Sequence, residues 1–309
     1  MTFILVFLLT GLTSCNSGQD KAVHSTSEIK FRKPDSLYMS KHVLANKVQA
    51  EAQQEIKKQQ ERFVKEALDC ITETNETLKA LASGKMKEAQ KQLHLALVHA
   101  TQTMKKHPNV YYVPVNISVS SNDFVKNRQQ ADQLVTETKK ALAGGSYQNA
   151  SSLLNKLKSE IDITTINMLF SNYPRGLAKA DSLLNVDKTN DAENILYGLL
   201  NSLQITQVVL PLPVLRAQAL IAQAKEVDNQ NHAETKVDNL LENANYQLLL
   251  AKTMGYGSFD TEYTDLSKQI KSLEQGVQSG TAGPEDFSGL FSKVEQFKSR
   301  LFDQSHNIR

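Results

Sequence analysis

Apolar residues recur three and four positions apart through most of the chain, which is the spacing of one helix face. Three times the apolar stripe stops at a short turn rich in Gly, Asn or Asp and restarts at an alanine: Ala89, Ala150 and Ala192. Such turns accept a left-handed residue, and an alanine lets two helices approach closely. We therefore predict three antiparallel helical hairpins. They resemble tetratricopeptide hairpins, but the alanines lie 61 and 42 positions apart, which does not fit a fixed period of 34.

Each predicted hairpin is followed by a stretch rich in β-branched residues and marked by proline: residues 110–119, residues 161–166 leading to Pro174, and residues 204–213. Proline and β-branched residues disfavour a continuous helix. Two alternatives stay open, because the stretches can pair as a small sheet or run extended as crossovers. Proline favours short or edge strands. The pattern predicts a mainly α fold of repeated antiparallel helical hairpins with short extended or β crossover segments.

Helical spacing also flanks the repeats. Residues 40–83 are predicted to form one long or once-broken helix, and four further helices are predicted at 212–229, 234–254, 259–278 and 285–303. A glycine-rich stretch from Gly276 to Pro284 separates the last two. It favours a last helix that docks loosely or on a neighbouring subunit.

The N-terminus is predicted to carry a targeting signal. Residues 1–12 form an apolar run shorter than the roughly 20 residues of a membrane-spanning helix. The following Leu12-Thr13-Ser14-Cys15 resembles the lipobox of bacterial lipoproteins, which implies a signal peptide at 1–14 and lipidation at Cys15. The run lacks the Lys or Arg that usually begins a signal peptide. Residues 15–36 lack apolar periodicity, as expected for a flexible tether, and Asn16 favours the outer membrane by resemblance to the enterobacterial sorting rule.

Composition narrows the class of protein. The 309 residues contain 35 Lys and Arg against 33 Asp and Glu, so the net charge of +2 gives no reason to expect a nucleic-acid partner. Two cysteines exclude a disulfide framework. Few glycines, prolines and aromatic residues agree with a helical fold.

Candidate chemical groups are few. His94 and His99 share a predicted helix, but a spacing of five does not suit a zinc pair. Cys70 lies inside an amphipathic helix without a nucleophile motif, so we expect a buried structural cysteine. Gly255-Tyr256-Gly257 is interpreted as a helix C-cap followed by a turn, with an aromatic surface contact of Tyr256, Phe259 and Tyr263 as the alternative. Tyr111 and Tyr112 either face a ligand groove or alternate between core and surface. We predict no catalytic residue, cofactor or metal ligand.

Three segments resemble the YfdX family of bacterial proteins: Tyr112 to Phe124, Val208 to Ala224 and Asn243 to Gly257. The resemblance covers roughly residues 60–275, and with the periodicity it places a helical domain at 37–278 and a linker with a C-terminal helix at 279–309. It implies a periplasmic, oligomeric, mostly helical protein linked to stress and antibiotic tolerance, with no established reaction. The lipobox, the tether and the last helix depart from that family.

These features lead to two expectations about function. The first is a non-enzymatic, lipid-anchored envelope protein that binds small apolar molecules or protein partners through concave helical surfaces or an apolar groove. The alternative is a structural or scaffolding homo-oligomer of the envelope without a small-molecule ligand. In both, the chain contacts the membrane through its lipid anchor and faces the periplasm.

Overall fold

A computed structural model describes residue 37 and residues 39–123, 127–231, 234–257 and 260–304. All of these lie in one compact unit, Lys33–Arg309. The predicted signal peptide, Cys15 and the tether lie outside the described residues. The described part contains eleven α-helices and one three-stranded antiparallel sheet, so the mainly α prediction is confirmed. None of its helices is long and apolar enough to cross a bilayer.

Helix pairs and strands alternate through the first two thirds of the chain. Helix α1 is Lys41–Gln60, and the elements that follow are α2 (Lys65–Ala82), α3 (Met86–Lys106), β1 (Tyr112–Asp123), α4 (Arg128–Ala143), α5 (Tyr147–Lys156), β2 (Ser159–Leu169), α6 (Tyr173–Leu184), α7 (Thr189–Leu200) and β3 (Leu203–Pro211). The three hairpins are thus confirmed, and each one leads directly into a strand. The predicted helix over 40–83 is broken once, at residues 61–64.

The hairpin turns close as the glycine pattern predicts. Gly84 and Gly145 adopt positive φ values of 68° and 70°, and Asp187 takes the same place in the third turn with φ 57°. In each turn, the residue after the one with positive φ donates its N–H to the carbonyl five residues earlier, for example Lys85 N to Ala80 O at 2.9 Å. This is the Schellman geometry that ends helices.

Small residues hold the helices of a hairpin close together. Ala89, Ala150 and Ala192 are 0–1% exposed, as predicted. In the third hairpin, a Cβ on Gly176 of α6 would lie 2.8 Å from Leu199 Cδ2 of α7. Close packing of this kind buries the apolar stripe of each helix against its neighbour.

The three extended stretches pair as a sheet in the order β1-β2-β3, which decides between the two alternatives left open by the sequence. Both proline-marked strands, β1 and β3, are edges, as predicted, and the register shifts between Pro114 and Asn116. The three strands have 12, 11 and 9 residues. Backbone pairing across the central strand supports this length despite the prolines.

The antiparallel order sets the positions of the hairpins. Tyr112 pairs with Leu169 and Met168 with Leu203, so α2–α3 and α6–α7 meet at the same end of the sheet. They share one core, which includes Leu93, Tyr173 and Leu196. The α4–α5 hairpin connects β1 to β2 at the other end of the sheet, where Asp123 pairs with Ser159.

Four helices complete the domain: α8 (Leu212–Asn231), α9 (Glu234–Thr253), α10 (Asp260–Gln278) and α11 (Pro284–Gln304). Together with α1 they form the main core, which covers the sheet face that carries Ile163 and Val208. Phe287 and Phe297 of α11 are 0% and 1% exposed within it. The expectation that the last helix docks loosely or on a neighbouring subunit is therefore wrong, because its apolar stripe packs into the main core of its own chain.

Candidate functional site

A cavity of about 230 Å³ lies where α1 and α11 meet the end of β3. We call it the α1–α11 cleft. Its apolar lining is made by Leu210 of β3, Leu215 of α8 and Phe302 of α11. Leu210 and Leu215 are 1% exposed and belong to the main core, so this part of the lining is set by the fold itself.

A buried ammonium group forms one charged side of the α1–α11 cleft. Lys298 is 5% exposed, and its Nζ lies 2.8 Å from Glu51 Oε2 and 2.9 Å from Glu295 Oε2. Burying a lysine is costly unless carboxylates compensate its charge. The pair with Glu51 joins α11 to α1 over 247 positions of sequence, and therefore fixes both walls of the cleft.

A second charged pair lines the α1 side. Lys58 Nζ lies 3.3 Å from Glu55 Oε2, and Gln59 Nε2 donates to the other oxygen of Glu55 at 3.1 Å. The lining therefore carries three carboxylates, Glu51, Glu55 and Glu295, against two ammonium groups. One negative charge is in excess, and solvent screens part of it because the side chains of Lys58 and Glu295 are 70% and 44% exposed.

An amide behind the cleft has unused hydrogen-bonding capacity. Gln218 of α8 is 2% exposed, and its Nε2 donates to Glu295 Oε2. Its Oε1 has no hydrogen-bond partner among the described residues. Buried polar atoms are normally paired. Gln218 therefore holds Glu295 in place, and its own Oε1 stays buried without a partner among the described residues.

A second, larger cavity of about 450 Å³ lies between α10 and α11. Small residues such as Gly276 and Ala282 open it. The charged side chains along it, Glu285, Asp286 and Lys293, are all exposed. Exposed charges are well solvated and bind weakly. The α1–α11 cleft, with a buried charge beside an apolar lining, is the stronger candidate.

Most residues singled out from the sequence have structural roles. Cys70 is fully buried, as expected, and burial raises the pKa of its thiol far above the ordinary value. His99 Nδ1 lies 2.8 Å from Glu73 Oε2, whereas His94 is exposed. The described residues contain no group of three or more His, Cys, Asp or Glu side chains placed to hold a metal ion.

The tyrosines are placed away from the cleft lining. Tyr256 N donates to Ala251 O at 3.1 Å and Gly255 has φ 87°, which confirms the helix C-cap. Ser159 N donates to Tyr256 Oη at 2.8 Å, so this turn is bonded to β2. Phe259 of the alternative aromatic contact lies outside the described residues. Tyr111 is 59% exposed and packs edge to face on Tyr112 at 5.1 Å, so the two tyrosines cap the start of β1.

The lining residues Glu51 and Lys298 were not recognised from the sequence. The sequence feature that marks both residues is a charged side chain within the apolar stripe of a helix. Lys298 follows Val294 by four positions, and Glu51 follows Leu44 by seven, so each stands on the buried face of its helix. A charged residue at such a position indicates a buried ion pair or a site.

Comparison with known proteins finds a family match for the central part of the chain. Residues 70–209 match the model of the YfdX protein family. The predicted resemblance is confirmed over this region, which begins within α2, contains β1 and β2 and ends within β3. No curated protein matches the sequence significantly.

A solved structure of YfdX from Salmonella Typhi is also similar. It shares 13% identity, and the match covers 48% of this chain and 93% of that one with a TM-score of 0.33. That score is too low to support a structural argument. Every lining residue of the α1–α11 cleft falls outside the YfdX region, so the family match does not bear on the cleft.

Proposed function

We propose that the protein is a non-enzymatic binding protein that holds a small amphipathic cation in the α1–α11 cleft. The observation that carries the proposal is the buried Lys298, held by Glu51 and Glu295 beside an apolar lining. The lining differs from the apolar groove expected from the sequence because charged side chains form much of it. The apolar part accepts a short hydrocarbon group, and the excess carboxylate attracts a positive charge.

The volume of the α1–α11 cleft limits the size of the ligand. Pockets for drug-sized molecules usually measure about 300–1,000 Å³, and the cleft, at about 230 Å³, is smaller. A six-carbon chain with one charged end is a suitable probe. Hexylammonium, hexanol and hexanoate share the chain and differ in the charge of the end group.

We expect hexylammonium to raise the melting temperature of the protein by about 3–5 °C at ten times its dissociation constant, since binding to the native state alone then adds about 1.4 kcal/mol. Hexanol is expected to give a smaller shift and hexanoate none. Differential scanning fluorimetry measures all three. Equal shifts by hexanol and hexylammonium would show that the carboxylates do not select the ligand, and no shift by any compound would contradict the proposal.

We further propose that the protein acts in the bacterial cell envelope, facing the periplasm from a lipid anchor at Cys15, with the outer membrane as the favoured location. The support is the lipobox-like Leu12-Thr13-Ser14-Cys15. The YfdX resemblance extends the proposal to a role in stress or antibiotic tolerance.

The anchor is tested by metabolic labelling with radioactive palmitate. The wild-type chain and Cys70→Ser are expected to carry label, because Cys70 is buried inside the fold. Cys15→Ser is expected to lose it, because the thiol is the site of thioether formation. Label retained by Cys15→Ser at the wild-type level rules out lipidation at this residue.

The second candidate function is a scaffolding homo-oligomer of the envelope. It is favoured by one observation, the exposed outer edge of β1, where Asn116 and residues 118–123 are all exposed. A sheet edge can bind another strand through its backbone.

A further inference from the structure

Strand β1 forms an edge of the sheet. Within the described residues its single strand neighbour is β2. Val113 and Pro114 at its start are buried, but Asn116 and every residue from Ser118 to Asp123 are exposed. In this second half of β1, side chains on both faces of the strand therefore contact solvent. The strand still pairs with β2 along its whole length, and its last residue, Asp123, pairs with Ser159.

Pro114 and the register shift beside it protect the first half of this edge, but the second half lacks such protection. Natural edge strands are shielded by charges, prolines or covering elements. The segment from Asn116 to Asn122 contains neither a charged residue nor a proline. The opposite edge differs, because β3 ends in Pro211 and packs against α11. The charge of Asp123 is compensated by Arg216, whose Nη2 lies 2.8 Å from Asp123 Oδ2.

We propose that β1 pairs antiparallel with β1 of a second copy of this chain across a two-fold axis, which joins two three-stranded sheets into one of six strands. The segment complements itself. With the axis near Val119, Ser118 lies opposite Ser120 of the second copy, and Val119 lies opposite its own copy. No like charges face each other, and Val119, which is 48% exposed, becomes covered.

A two-fold axis also explains why the occupant is a second copy. An isologous contact requires a self-complementary surface, and the neutral segment Ser118-Val119-Ser120 provides one. This surface goes beyond the proposed cleft function and gives the scaffolding alternative a defined contact. It is separate from the α1–α11 cleft, so the ligand and pairing experiments can fail independently.

Paired charges test the contact. Two double variants of the full chain, Ser118→Lys with Ser120→Lys and Ser118→Glu with Ser120→Glu, place like charges across the axis. In mild detergent, size exclusion with light scattering is expected to give twice the mass of one chain for wild type and the mass of one chain for each variant. An equimolar mixture of the two variants is expected to recover the double mass, since Lys then faces Glu. The control with Ser151→Lys and Ser152→Lys, both exposed on α5, is expected to behave as wild type.

A cysteine placed at the proposed two-fold axis tests directly whether the two β1 strands pair at Val119. Opposite residues in antiparallel strands have Cα atoms about 4.5–5.5 Å apart, which suits a disulfide. Under mild oxidation, Val119→Cys is expected to form a crosslinked dimer on a non-reducing gel. The parent chain and Ser151→Cys are expected not to form one. A wild-type chain with the mass of one copy, variants that associate as wild type does, or Val119→Cys that does not crosslink would each overturn the proposal.

Discussion

Replacing Ala192 with glutamate is expected to lower the free energy of unfolding by more than about 4 kcal/mol. The residue is 0% exposed at the contact of α6 and α7, in the core that also contains Tyr173 and Leu196. A glutamate there overfills a packed site and buries a charge without a partner, and both effects are strongly destabilising. Total stabilities are typically about 5–15 kcal/mol, so little folded protein is expected to remain in mild denaturant.

Ala178→Glu is the matched control, because Ala178 is an exposed alanine on α6 of the same hairpin. Its effect is expected to stay within about 0.5 kcal/mol. Urea unfolding followed by circular dichroism compares the two variants. If both unfold at the same urea concentration, the first alanine of the second helix is not the close-packing position that the hairpin requires.

Replacing Glu274 with glutamine is expected to stabilise the protein at alkaline pH but not at acidic pH. Burial between α9 and α10 raises the pKa of Glu274 from 4.5 to about 7, with further increases from Glu242 and Asp238, and Lys271 opposes the shift. Glu274 Oε1 and Asp238 Oδ1 are buried without hydrogen-bond partners within the described residues. The folded state therefore disfavours the ionised carboxylate.

The direction in which stability changes with pH follows from the proton bound by Glu274. Between pH 4.5 and 7 the folded chain keeps a proton that the unfolded chain has lost, so stability falls as pH rises through this interval and stays lower above it. The full shift corresponds to about 3 kcal/mol. Because the side chain of Glu274 is partly exposed, solvent screening reduces this to about 1–2 kcal/mol.

Melting curves at pH 4.5 and pH 8 measure the difference. Glu274→Gln is expected to melt about 2–6 °C above wild type at pH 8 and close to wild type at pH 4.5. Glu88→Gln, which removes an exposed carboxylate on α3, is expected to show no comparable change with pH. A gain for Glu274→Gln that is the same at both pH values would show that the carboxylate does not titrate in this interval.

Local patterns predicted the helices well. The helix predicted over 234–254 is observed at Glu234–Thr253, and the one over 285–303 at Pro284–Gln304. Helix ends depend on nearby residues, such as the glycines that take positive φ at Gly84 and Gly145. The spacing of apolar residues also identified the buried alanines of all three hairpins.

Long-range features could not be predicted in the same way. Pairing of β1 with β2 joins segments that are separated by a whole hairpin, and its free energy comes from contacts that no local window contains. The docking of α11 was also predicted wrongly, since a flexible linker does not determine which surface a helix covers. The α1–α11 cleft combines Glu51, Leu210 and Lys298, and only the folded chain brings these together.

Binding of a small amphipathic cation in the α1–α11 cleft can be measured in solution. Isothermal titration of the full chain with hexylammonium tests it most directly when wild type is compared with Phe302→Ala and Phe291→Ala. Both phenylalanines are partly buried on α11, but only Phe302 lines the cleft. We expect wild type and Phe291→Ala to bind equally and Phe302→Ala to bind at least about tenfold more weakly, because it loses about 1.5–3 kcal/mol of apolar burial. Equal binding by all three proteins, or no binding by wild type, would contradict the proposal.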